Sequence, residues 1–103
     1  MKGGFTGVTH IVFWNLKEAP EAERAASARK MKELLEGLVG QVPGLLSAGV
    51  HQNFTPGGYD LCLVSQLTDR AALEGYQVHP AHLEVKKFVH SVVCQRAAVD
   101  YEE

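Results

Sequence analysis

Cysteine is scarce in this sequence, two residues in 103, and neither Cys62 nor Cys94 has CxxC spacing or metal-ligating neighbours. Both fall in strand-like runs, where a thiol behaves as a small buried hydrophobe of a reducing compartment. Long apolar runs are also missing: none approaches the ~20 residues a helix needs to cross a bilayer. Met1–Phe5 lacks the apolar core of a signal peptide. Nor is there a surplus of positive charge. Ten Lys and Arg face twelve Asp and Glu, for a net charge of −2, and the basic residues are scattered or, as at Lys86–Lys87, merely paired. These absences predict a soluble cytoplasmic protein with no nucleic-acid or membrane partner. Linkers, repeats and low-complexity blocks are lacking too, so residues 1–103 read as one domain with a single core.

What is present alternates in type. Residues 7–16 are rich in β-branched and aromatic side chains and read as a strand. Pro20 opens a helix whose apolar positions Ala28, Met31, Leu35, Leu38 and Val42 recur at spacings of three and four, with Gly40 and Pro43–Gly44 ending it. Its charged face carries i,i+4 pairs such as Lys32 with Glu36. Leu45–Phe54 and Tyr59–Leu67 form a hairpin about the turn Thr55–Gly58. Thr68–Asp69 caps a short helix from Arg70 to about Tyr76. Ala81–His90 is a further helix, and Ser91–Tyr101 a last strand. The order β-α-β-β-α-β predicts an α+β, ferredoxin-like protomer.

The strands are apolar on both faces. Val8, Val12 and Trp14 alternate with Ile11 and Phe13. Leu61, Leu63 and Leu67 alternate with Cys62 and Val64, and Val93, Ala97 and Val99 alternate with Val92, Cys94 and Ala98. Strands of this kind are buried on both sides. Helices on one side of a four-stranded sheet cover only that side, which predicts a homodimer packed sheet to sheet.

The segment Tyr76-Gln77-Val78-His79-Pro80-Ala81-His82 places a phenol and two imidazoles around a helix-breaking proline. Proline pushes His79 out of the helical region and suits the first turn of the next helix. Tyr76 at one helix end and His82 in the following first turn can then face one cavity, as proton transfer requires. The structural alternative is that these groups only tie down the kink with hydrogen bonds. His10 alternates with Val8, Val12 and Trp14, which puts it in the floor of a pocket under the helices, or in the core beside His82.

Together with Thr9-His10-Ile11-Val12 and Pro56-Gly57-Gly58-Tyr59-Asp60-Leu61, this segment resembles the stress-responsive dimeric α/β-barrel domain family from about Val8 to Tyr101. The resemblance implies a ferredoxin-like protomer, a dimeric barrel, and a pocket between helices and sheet. The fold hosts several activities, so it does not fix the chemistry. The family's polyketide cyclases imply His82 as base, Tyr76 as support for the reacting carbonyl, and His10 as a pocket histidine. A further pocket histidine of those enzymes is Leu61 here. An aldol closure needs a base of near-neutral pKa and a donor for the oxyanion, which histidine and Tyr76 supply. A largely apolar pocket would fold the flexible chain for reaction.

Other signals are weaker. His79 and His82, three apart, form a poor metal pair, with only Glu84 nearby and facing solvent. No metal or cofactor is expected. Trp14 and Asn15 are of the types used by heme-degrading relatives of this fold, but neighbours on one strand point to opposite faces, and Trp14 reads as core. His51 and His90 read as surface or structural residues. Three classes of function follow: an acid–base cyclase or lyase using His82, Tyr76 and His10; a cofactor-free monooxygenase binding an aromatic molecule; and a non-catalytic stress-related dimer or ligand binder.

Overall fold

A computed structural model describes residues 4–103 of the chain. The strands β1 (Val8–Leu16), β2 (Leu45–Gln52), β3 (Leu61–Leu67) and β4 (Val93–Glu102) form one antiparallel sheet in the order β2-β3-β1-β4. The helices α1 (Glu21–Glu36), α2 (Arg70–Val78) and α3 (Pro80–Val92) complete a ferredoxin-like arrangement, the second helical element broken at the His-Pro step. The core forms where the helices meet Val8, Val12 and Trp14 of β1 and Leu61, Leu63 and Leu67 of β3.

Several boundaries differ from the sequence reading, each for a local reason. α1 stops at Glu36, because Gly37 serves as its C-cap and Gly40 takes a φ of 91°. Leu38 and Val42 stay buried, but in the turns beyond the helix. Glu36 ties the helix end to β2: its carboxylate accepts from the Val50 N–H at 2.9 Å and from Lys32 at 2.7 Å. The Lys32 ammonium, first among these, holds the Glu36 pKa below its usual value. β2 ends at Gln52, before Phe54, because Asn53 turns to serve the loop, donating to the Tyr59 carbonyl and accepting from the Thr55 N–H. β3 starts at Leu61. Asp60 just before it binds Arg24 of α1 at 3.1 Å and the Leu16 N–H at 2.8 Å. α3 continues through Val92, so Ser91 and Val92 are helical.

α2 starts as expected, with Asp69 accepting from the Ala72 N–H at 2.8 Å. Gly44 lets this helix close over the head of β2: its φ is 82°, and a Cβ there would sit 2.5 Å from that of Ala72. Only glycine combines a left-handed backbone with that contact.

The helices cover one face of the sheet. On the other, the Phe13 and Tyr59 rings meet at 5.8 Å, tilted by 30°, Ile11 and Cys62 are half-buried, and Val64, Val99 and Tyr101 are exposed. Phe13, Cys62, Ala97 and the fully projecting Phe54 line a concavity of about 570 Å³ on this side. The β4 register sorts its residues: Ala97 and Val99 lie with Phe13 and Ile11, whereas Arg96, Ala98 and Asp100 lie with Trp14, Val12 and His10 on the helix side of the sheet, at its exposed edge. No described helix is long and apolar enough to cross a membrane.

Candidate functional site

The His-Pro step builds the site. His79 adopts φ −64° and ψ 135° and caps α3, its Nδ1 accepting from the Ala81 N–H at 3.1 Å. Pro80 starts the helix, and His82 follows in its first turn, buried. The His82 Nδ1–H donates at 2.8 Å to the Tyr76 carbonyl, an acceptor that also takes the His79 N–H at 3.4 Å, so the end of α2 is tied to the start of α3. The His82 bond assigns the proton to Nδ1 and leaves Nε2 as an acceptor. The Tyr76 ring stacks on His82 at 4.0 Å and 19°. Its other neighbour is His10, edge-on at 5.9 Å.

His10 is buried near the start of β1. β4 brings the carboxylate of Asp100 directly opposite, and the His10 Nδ1 is hydrogen-bonded to it. That bond engages Nδ1, and Nε2 of His10 has no hydrogen bond among the described residues. Two imidazoles with their Nδ1 positions engaged thus flank one phenol.

All three line a cavity of about 40 Å³ between helices and sheet, with room for a few water-sized groups. Its apolar wall includes Val12, Trp14, Leu35 and Val89, and its polar wall includes Lys86, His90 and Arg96. His90 and Arg96 are exposed, so the cavity opens between α3 and β4. This volume is small beside a folded polyketide chain, and the wall mixes polar with apolar side chains. Burial pushes the His82 imidazole down to about 4, against a smaller opposing effect of its bond to Tyr76. Burial also pushes the Tyr76 hydroxyl up to about 12. At neutral pH, His82 is an uncharged acceptor and Tyr76 a protonated donor.

The structure therefore brings Tyr76, His82 and His10 together and leaves His79 out, as the cap of α3 facing a different groove. Trp14 lies in the cavity wall, while Asn15 bonds to Gln95 and the Asp60 N–H. Asp100, Lys86, His90 and Arg96 were not identified from sequence as site residues. For Arg96 and Asp100 the signal is the register of β4 against β1, which an apolar alternation on both faces conceals; Lys86 and His90 follow His82 at successive spacings of four on α3.

The family model for the stress responsive A/B barrel domain matches residues 8–103. Among solved structures, a dimeric protein of unknown function with a ferredoxin-like fold from Bacteroides fragilis is 28% identical. Its TM-score is 0.85, and the match covers 93% of this chain and 95% of that one. A dimeric ferredoxin-like protein of unknown function from Thermobifida fusca gives a TM-score of 0.80 at 20% identity, covering 99% and 97%. A hydroxynitrile lyase from Passiflora edulis gives 0.71 at 16% identity, covering 93% and 92%. No curated protein matches the sequence.

Proposed function

Because the chain belongs to the stress-responsive A/B barrel domain family, we propose that it is a cytoplasmic homodimer that performs acid–base chemistry on a small molecule in the helix–sheet cavity. The observation that carries this reading is the meeting of His10, Tyr76 and His82 in one cavity wall. His10 is the base in this account. Asp100 orients its ring and compensates the charge that proton uptake creates, the role a carboxylate plays behind a catalytic imidazole. Tyr76, still protonated at neutral pH, donates to the oxygen on which negative charge develops. His82 positions Tyr76 by stacking and by its bond to the Tyr76 carbonyl. The role of base thus passes from His82, where the resemblance put it, to His10. A lyase of the same fold, the Passiflora hydroxynitrile lyase, is compatible with chemistry of this class.

Dimerisation is supported by the uncovered apolar face and by the dimeric Bacteroides relative. A second reading, a non-catalytic dimer, is favoured by the small volume of the cavity. Exchange of the α-protons of small carbonyl compounds in D₂O, followed by NMR, separates the two. An acid–base site accelerates exchange, and His10→Asn lowers the rate by ~100-fold or more. Absence of acceleration with every small ketone and keto acid tried would contradict the catalytic reading.

A further inference from the structure

The cavity wall differs in charge from the rest of the molecule. The chain carries a net charge of −2, yet the two cations Lys86 and Arg96 line this one cavity, with no carboxylate among its lining residues. Asp100 stands behind His10 and is bound to it. Among the described residues neither cation has a carboxylate partner: Lys86 donates to the carbonyl and side-chain amide of Gln77 at 3.1 and 3.4 Å, and Arg96 is in no ion pair. Both line the same cavity as His82, and their positive charge adds to the effect of burial in keeping that imidazole neutral. A partly buried cavity lined with one sign of charge concentrates ligands of the opposite sign. A guanidinium at its mouth suits a carboxylate, which it binds with paired N–H donors.

We infer that the cavity selects a small carboxylate, whose anionic group is held by Arg96 and Lys86 while its reactive end lies against Tyr76 and His10. This names the substrate class of the acid–base site and rests on that reading. It also assigns a task to the β4 face that carries Arg96 opposite Trp14.

Trp14 is the only tryptophan in the chain and lies in the cavity wall, so its fluorescence reports occupancy without turnover. The probes are acetate and acetamide, alike in size and different in charge, titrated at constant ionic strength. Acetate is expected to give a saturable change with a half-saturation at least tenfold below that of acetamide. Arg96→Gln, at an exposed position, should bring that ratio close to one. Equal responses to the two probes, no saturable response to acetate, or an Arg96→Gln protein that keeps the full preference would overturn the inference. The outcome is separable from that of the acid–base reading. A protein that exchanges acetone protons but shows no acetate preference keeps the base and loses the anion site. One that binds acetate yet exchanges no α-protons keeps the anion site and loses the base.

Discussion

At the scale of single residues, the site depends on how two imidazoles are committed. His82 donates to a carbonyl at the end of α2, and burial holds it neutral with a pKa of about 4 against an ordinary value near ~6.5. In the unfolded chain it takes up a proton as the pH falls below that ordinary value, and in the folded protein it resists doing so. Its contribution to stability is therefore full above ~6.5 and lost progressively as the pH drops toward 4. Urea denaturation at pH 7 and pH 4.5 should show a larger loss of stability in the wild type than in His82→Gln. Equal losses would show that His82 titrates normally in the fold. At pH 7 the same substitution should cost about 1–3 kcal/mol, the penalty for a disturbed buried hydrogen bond. The sequence made Tyr76, His82 and His10 legible because a His-Pro step dictates local geometry and because β alternation fixes which way His10 points. It concealed Asp100 and Arg96, whose place depends on strand pairing across some ninety residues of chain.

At the scale of elements, the helices are fixed to the sheet by a few specific joints. Gly44→Ala should destabilise the protein by about 2 kcal/mol, since it adds left-handed backbone strain to a clash with Ala72. Thermal melting measures this, and an unchanged midpoint would mean that α2 shifts freely away from β2. Asp69→Ala removes the cap of α2 and should cost about 1 kcal/mol. Periodicity locates every element but not every end: α3 runs on through Val92, and at α1, β2 and β3 a side chain or glycine intervenes before the apolar pattern stops. Leu38 and Val42 continue the buried stripe from turns, so the pattern reports burial faithfully and helix length less so. Asn53 ties the hairpin loop to the Tyr59 carbonyl, and Asp60 binds the distant Leu16 N–H of β1, a bond that spacing does not encode.

At the scale of the whole molecule, the two-faced strands and the one-sided helices make opposite demands on the sheet. Val64, Val99 and Tyr101 stand exposed on the face without helices, where a second copy would bury them. Light scattering should therefore give twice the chain mass at micromolar concentration. Val64→Glu should shift the protein toward monomer, because a carboxylate would then be desolvated against apolar neighbours. A wild-type protein of single-chain mass would contradict the dimer. The site itself lies on the other side of the sheet, so dimer and chemistry can be tested separately.

The measurement that bears most directly on the acid–base account is α-proton exchange by the wild type, Asp100→Asn and Tyr76→Phe, with melting temperature read on the same samples. The account predicts folded variants that have lost at least tenfold in exchange rate, Asp100→Asn through a misoriented His10 and Tyr76→Phe through a missing donor. Folded variants that exchange as fast as the wild type would contradict it.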